Sequence, residues 1–597
     1  MHTHSGALGG ARGEIDGTEF YLTTDRVPAH EFDEILSQFR ASQKGVSSAP
    51  ADDLRIECRF PARFKFIRRE VKEAKSWSMP VCPRFEHFRN GIQAQSVTLV
   101  FSAYYLNNPA SAFGHTFLRL NKERQNGKRY PLLDYGLGFA ATAPDVNPIT
   151  FALGGMFGWF YGDFTSIPYY LKTQEYNDYE SRDLWEYDLR LTPDEIELLV
   201  AHLWELANAK IHYQYLAKNC SSLMLTALEA AAPRLELTKK LPYWVIPADT
   251  VRVVNEVPDL VAGYRFRPSK RSQFFARYQK LSQKQKTGFI RLASEESFNL
   301  GTAQFDSAAD LQILDTLIDY YDFRYYKKLL REENSFTDTK QRMLLARSRL
   351  GQGEDDFVVP EPEFEKPHAA HRSGRSAIGL MQTQLGARAL TIGQRFALHD
   401  MLDAQVGYPR DSEILFLDFQ LIALTQPAIG RSAESAIRVD RAYVFGVKSF
   451  APFEKMVPNL SWKVRLGAES TWDASCYKCV AAVFGGGIGY TADVYAGRLF
   501  ATLLLSPDFS ISGEFDKSAL KFRIGPEFNL RALLTRTLLL QFNAQYLHLF
   551  LTKPDDAYTM GEEVRWSLPS QNVALGASVN HLPGGEVESR AQIYFYW

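Results

Sequence analysis

LKFRIGPEFNL, residues 520–530, is the stretch that decides the fold. Leu520, Phe522, Ile524, Phe528 and Leu530 alternate with Lys521, Arg523, Glu527 and Asn529, and a period of two places the apolar set on one face of a strand and the charged set on the other. The same alternation returns at Trp462, Val464, Leu466 and Ala468 against Lys463, Arg465 and Glu469, and again around Leu417, Phe542 and Trp566. From residue 375 to the end, about twelve such segments follow one another between turn residues, the repeat expected of barrel strands. The chain closes on AQIYFYW, with Ile593, Phe595 and Trp597 on one side, like the aromatic terminal strand of outer-membrane barrels. A soluble sandwich whose apolar face is an inner core has the same alternation. The expected architecture is α+β, ending in a closed antiparallel barrel over 375–597.

Upstream of the barrel, GEDDFVVPEPEFEKPH (353–368) reads as a linker, and 256–374 as a helical connector. Residues 1–92 read as a leader domain with a helical stretch, EFDEILSQFR. Between leader and connector, 93–255 reads as a separate domain. SVTLVFSAYYL, HTFLRLN and YPLLDYGLGFA are strands of a small antiparallel sheet. A helix then opens at Thr192-Pro193 and repeats Ile196, Leu199, Val200, Leu203 and Leu206 on one face, and a second helix follows Asn219-Cys220.

The totals narrow the partners. Across 597 residues, 68 Lys and Arg stand against 69 Asp and Glu, a net charge of −1 that has no excess to attract nucleic acid. The 13% aromatic content, with 29 tyrosines, suits interfacial belts on a membrane protein. No run of about 18 apolar residues occurs, so any crossing of a membrane falls to strands. The start, MHTHSGALGGARGE, shows no signal peptide, which leaves a removed signal or a cytoplasmic protein. His2 and His4 read as solvated residues of a polar terminus, and neither a metal nor a cofactor is expected.

Cysteine use bears on the compartment. Cys58 and Cys82 form one local pair, Cys476 and Cys479 in CYKC another, and Cys220 is left over. Five reduced cysteines in a cytosolic protein is the alternative. CYKC as a zinc half-site lacks a second pair nearby.

A cysteine becomes a useful nucleophile when an imidazolium and a helix N-terminus stabilise its thiolate. Cys220 stands at the start of the helix SSLMLTALEAAAP with Asn219 as cap. Among twelve histidines, His115 opens a strand directly after a turn of small residues, where it can project from a sheet edge toward a helix start. A helix-borne cysteine packed against a strand-borne histidine is the papain-like layout, here with the histidine first in the chain. Asp134, on the next strand, is the candidate to orient the imidazole, against a turn-side, solvated aspartate. The N–H of Cys220, with Tyr104 or Tyr105, is the candidate oxyanion donor set. Arg182 and Asp183 either bind substrate or form an internal ion pair. ALGGMFGWFYG (152–162) reads as a lipid-facing flap or as plain core.

At CRFPARFKF, CPRFEHF, SAYYLNNPASAFGHTFLRL, PYYLKTQEYNDYESRDLWEYDL, HYQYLAKNCSSLML and VIPADTVR, the sequence resembles the bacterial family that contains the Lnb-type lipoprotein N-acyltransferases. The resemblance spans roughly residues 50 to 255 and implies a permuted papain-like catalytic domain. It also implies His115 as base, Cys220 as nucleophile, a paired Cys58 and Cys82, and an outer-membrane protein whose catalytic domain faces the periplasm. Members often carry an acidic residue before the asparagine of the cysteine motif; here the chain reads Ala217-Lys218-Asn219. The implied reaction moves an acyl chain from a phospholipid to an amine, the N-terminus of a lipoprotein. Water as acceptor would make the same machinery a lipid deacylase, and a peptide carbonyl as donor would make it a cell-wall amidase. A barrel transporter or assembly factor with an inactive papain-like domain is the reading from another class.

Overall fold

The apolar runs at 96–102, 115–121 and 135–142 fold as strands because their β-branched and aromatic residues have two sheet faces to cover. The computed structural model describes residues 3–5, 11–16, 19–45, 54–104, 113–123, 128–142, 148–207, 209–241, 244–294, 308–331, 333–350, 357–362, 364–427, 436–473, 476–515, 518–549, 556–583 and 585–597. It divides into two compact units, Met1–Glu361 and Pro362–Trp597.

The first unit begins with a hairpin of β1 (Thr3–Ser5) and β2 (Ala11–Gly13) and the helices α1 (Pro28–Gln43), α2 (Ile56–Arg59), α3 (Pro61–Glu70) and α4 (Pro83–Ile92). Proline leads α1, α3 and α4, where its missing N–H costs nothing. A disulfide between Cys58 and Cys82, Cα atoms 5.4 Å apart, ties α2 to the start of α4. The main sheet holds β3 (Ser96–Ser102), β4 (His115–Asn121), β5 (Tyr135–Thr142), β6 (Phe160–Pro168), β7 (Leu184–Leu189), β8 (Ile211–Tyr213) and β9 (Val261–Arg267). All its neighbours are antiparallel, in the order β8-β6-β5-β4-β3-β7-β9. Interleaved with it are α5 (Pro148–Phe157), α6 (Tyr169–Thr173), α7 (Pro193–Leu206), α8 (Cys220–Ala231) and α9 (Pro247–Glu256). After it come α10 (Lys270–Lys280), α11 (Gln283–Ser294), α12 (Ala308–Leu330) and α13 (Asn334–Arg349).

The sheet has two unlike faces. Val97, Leu99, Leu118 and Leu120 join Leu199 of α7, Leu223 of α8 and Val254 of α9 in the main core. Residues one step out of phase, Val100, Phe117 and Leu184, face the other way against Tyr169 and Tyr176. The expected boundaries at 92 and 255 are not breaks in packing. Trp204 of α7 donates to the Cys58 carbonyl at 2.9 Å and packs against Phe85 and Phe88 of α4, and β9, the last strand of the sheet, lies beyond residue 255.

The second unit is a closed antiparallel barrel of twelve strands. They are β10 (Arg375–Thr383), β11 (Arg388–His399), β12 (Ser412–Gln426), β13 (Ile437–Ser449), β14 (Ser461–Asp473), β15 (Cys476–Tyr495), β16 (Leu499–Ile511), β17 (Leu520–Leu533), β18 (Leu538–Leu549), β19 (Ala557–Ser567), β20 (Val573–Leu582) and β21 (Glu586–Tyr596), and β21 pairs back onto β10. On β17 the charged residues Lys521 and Arg523 are buried, while Leu520 and Phe528 are 44% and 36% exposed. A sandwich would bury the apolar set; its exposure around a charged interior selects the barrel. On β21, likewise, Ile593 and Phe595 face out and Tyr594 and Tyr596 are buried. Among the described residues no helix is long and apolar enough to cross a membrane.

Candidate active site

Cys220 is a buried free thiol and the first residue of α8. Asn219 caps that helix: its Oδ1 accepts the N–H groups of Ser221 and Ser222 at 3.0 Å each, and its own N–H donates to Ser222 Oγ at 3.0 Å. Its Nδ2 donates to the carbonyls of Tyr215 and Val245, at 2.7 and 2.6 Å. The whole amide is therefore spent on seating the turn before the thiol, the cap expected of Asn219, and no group of it is left over for a substrate. Among the described residues the cap takes the Ser221 and Ser222 N–H groups and not that of Cys220, which stands at the end of the helix that carries partial positive charge.

Helix α8 rests on β4 and β5, and Ser221 Oγ donates to Thr116 Oγ1 at 3.1 Å. Burial pushes the Cys220 thiol up, against the opposing pull of the Thr116 N–H, of the Ser221 hydroxyl and N–H, and of the Arg182 charge. The resting form is thus the thiol, whereas helix start and imidazole together would predict a thiolate. Burial outweighs the hydrogen bonds from Thr116 and Ser221 and the Arg182 charge.

His115 is the first residue of β4. Gly114 before it takes φ +86°, and a Cβ there would sit 2.7 Å from the Phe101 ring, so only glycine turns the chain into the strand at this point. The His115 ring stacks on Tyr176 with centroids 5.3 Å apart and stands 6.1 Å from Phe117. Burial, then the charges of Lys172 and Arg182, hold the imidazole well below its usual value, so it is neutral, the form a base requires. Thiol and imidazole lie at the same end of β4: the thiol accepts the Thr116 N–H and acts on Tyr176, the ring on which His115 stacks. Thr116 faces α8, His115 faces Tyr176, and the ring makes no hydrogen bond to Sγ.

Asp134 does not join them. Its carboxylate accepts the Lys122 N–H at 2.9 Å and lies 3.5 Å from the Arg119 guanidinium, at the far end of β4, about 20 Å along the strand from His115. The antiparallel register sets Tyr135, the next residue, opposite Leu120, which is why a neighbouring strand could not deliver this carboxylate to the imidazole. Of the two readings of Arg182, its contacts are those of an internal ion pair. It is buried and donates to the carbonyls of Ala103 (2.5 Å) and Ser102 (2.9 Å) and to Glu180 (2.8 Å). Asp183 accepts instead from Ser269 and Ser272. Tyr104 is half-buried, edge-on to Phe101 at 5.6 Å, two residues past the end of β3; Tyr105 lies outside the described residues. Cys479 is disulfide-bonded; the side chain of Cys476 lies outside those described.

Two tyrosines of the site escaped the sequence reading. Tyr176, in a single wide turn at Gln174–Tyr179, is stacked on His115, and its ionisation and that of Tyr213 on β8 are coupled to Cys220. Wide turns of this kind recur at functional sites, but among 29 tyrosines nothing in the sequence ranks these two. The stretch read as a flap is the helix α5 running into β6, and Phe157 and Trp159 at its end are exposed.

Residues 84–257 match the family described as the Lnb N-terminal periplasmic domain, and residues 365–597 match a domain of unknown function, DUF7840. A search of the curated proteins found no match. Among solved structures, the barrel is similar to a KdgM porin (9% identity, TM-score 0.22, 37% of this chain and 99% of the porin). It is also similar to a bacterial polysaccharide outer membrane secretin (11%, 0.23, 38% and 99%) and to the outer membrane protein Omp33 of Acinetobacter baumannii (10%, 0.19, 38% and 99%). The barrel's own closure and apolar exterior, together with the periplasmic-domain match, make this an outer-membrane protein with a periplasmic domain.

Proposed function

We propose that the protein is a thiol acyltransferase of the outer membrane, in which Cys220 is the nucleophile and His115 its base on a papain-like layout. The observation that carries this reading is a free, Asn219-capped cysteine at a helix start inside a domain that matches the Lnb periplasmic family. The donor is a phospholipid ester, and the acceptor is an amine, the lipoprotein N-terminus of the Lnb resemblance. In the first half-reaction His115 takes the thiol proton as Sγ bonds to the ester carbonyl carbon. The Cys220 N–H receives the oxyanion, with the Tyr104 hydroxyl as the proposed second donor. The ester C–O bond breaks, the proton passes from His115 to the leaving alkoxide, and a lysophospholipid departs from a thioester on Cys220. In the second, the amine attacks that thioester, His115 takes its proton, and the amide leaves the thiol restored. The hydrogen bond from the thiol to His115 forms in the complex with the donor, as catalytic hydrogen bonds tighten there.

One feature favours a rival. An un-ionised thiol with no hydrogen bond to the imidazole is what a barrel-borne binding domain would also show. Full-length protein in vesicles of acyl-labelled phospholipid, without amine, separates the two. The expected result is a label on Cys220 that hydroxylamine releases and that Cys220→Ala lacks. Undiminished labelling of Cys220→Ala sinks the thiol mechanism. Turnover without any amine moves the function to a deacylase, and labelling only by peptides moves it to an amidase.

A further inference from the structure

We infer that the barrel is a closed anchor that passes no solute, because a segment of its own chain seals it across. Eight strands make a barrel that side chains just fill, and about sixteen to eighteen leave a water channel, so at an intermediate size the filling decides. Residues 400–411 join the end of β11 to the start of β12. Met401, Leu402, Asp403, Ala404, Gln405 and Tyr408 of this segment are buried.

Its partners come from opposite sides of the ring. Asp403 accepts from Arg395 on β11 at 2.7 Å, Arg565 on β19 at 2.8 Å and the Tyr596 hydroxyl on β21 at 2.6 Å. Asp400 accepts from Arg565 at 2.7 Å and pairs with Arg375 on β10. Across the ring, Arg531 on β17 donates to the Arg410 carbonyl at 2.7 Å and pairs with Asp411, while Met401 packs against Leu504 on β16. With twelve strands in cyclic order, β16 stands diametrically opposite β10, and β17 opposite β11. A segment held by both pairs must cross the lumen. Deeper cross-links repeat the pattern: Arg590 on β21 reaches over three strands to Asp440 on β13, at 2.6 and 2.9 Å, and Lys463 on β14 pairs with Glu527 on β17.

His371 and His399, with ring nitrogens 3.1 Å apart, stand beside Asp403 in a spacing that metal ligands also show. The guanidiniums of Arg375, Arg395 and Arg565 already take the carboxylates of Asp400 and Asp403, and a further cation would meet all three. The seal is therefore built from ion pairs. Buried charges of this kind hold only while partnered, so removing the acids releases the segment.

Solute-swelling of liposomes carrying the full-length protein, beside liposomes with an open porin, tests this. The wild type should swell no faster than protein-free liposomes. Asp400→Ala with Asp403→Ala, checked as folded by heat-modifiable gel mobility, should swell faster than wild type and toward the open porin's rate, because a barrel of this size whose filling is released leaves a water path. Should that variant not fold, Arg531→Gln, which frees only the opposite side, should show a smaller rise. Wild-type swelling at the porin's rate overturns the inference. A folded variant as tight as wild type overturns the role of residues 400–411.

Discussion

The two ends of strand β4 differ in how they treat charge. At the Arg119 end every charged group is paired: the buried guanidinium donates to Glu186 and Asn121 at 2.7 Å each and to Thr98 at 3.3 Å, and Glu186 accepts in turn from Tyr169 at 2.8 Å and Arg267 at 3.0 Å. This network stitches β3, β4, β7 and β9 together. At the His115 end, the groups that act on the imidazole are the cations Lys172 and Arg182, with no carboxylate among them. Ser102, paired with His115 in register, keeps a buried hydroxyl with no hydrogen-bond partner among the described residues. A fully partnered network is spent on stability; groups left with spare bonding capacity are the ones free to do chemistry.

Breaking the satisfied end should have the largest effect. Glu186→Ala leaves the buried Arg119 guanidinium only the more distant Asp134 carboxylate, at 3.5 Å, and should cost about 3 kcal/mol, measured as the urea concentration at which Cys220 becomes reactive to a thiol reagent. Acid should act through the same group. Burial alone would raise the Glu186 carboxyl, but Arg119 and Arg267 outweigh it and hold the group at about 2. Because the folded value is depressed, its stabilisation is complete above the ordinary carboxylate range and is lost as pH falls from there toward 2, on the order of 3 kcal/mol in all. Glu186→Gln should flatten that acid dependence; an unchanged acid profile would assign it elsewhere.

At the other end the effect should fall on rate instead. His115→Ala should slow acyl-thioester formation by about 100-fold or more while leaving the urea midpoint in place, and Asp134→Asn should leave the rate unchanged, since that carboxylate is remote from the imidazole. A rate loss in Asp134→Asn matching that of His115→Ala would restore Asp134 to the mechanism and refute the contrast between the ends. Smallest is Asn219→Ala, which removes the helix cap and should cost about 1 kcal/mol, with a loss of labelling rate that Asn219→Asp partly rescues.

Much of this was legible beforehand for a local reason. Strand alternation from Trp462 to Trp597, the Thr192 cap and the Asn219-Cys220 helix start are all set by residues within a few positions of one another, and the resulting elements lie where the sequence puts them. The Cys58 and Cys82 pair followed from spacing and resemblance, and the two are bonded.

What the sequence alone determined, then, is which residues form strands and helices, that Cys220 opens a helix, and that one strand face in the C-terminal half is apolar. What only the tertiary structure decided is which way those faces point and which charges meet. Alternation cannot tell a greasy exterior from a greasy core, because both bury one face against something; ring closure between β21 and β10 turned the charged face inward. Nor can it say that Asp134 meets Arg119, that Tyr176 covers His115, or that burial pushes the Cys220 thiol up. Those contacts join residues far apart in the chain, and register and burial, which set them, are properties of the packed sheet.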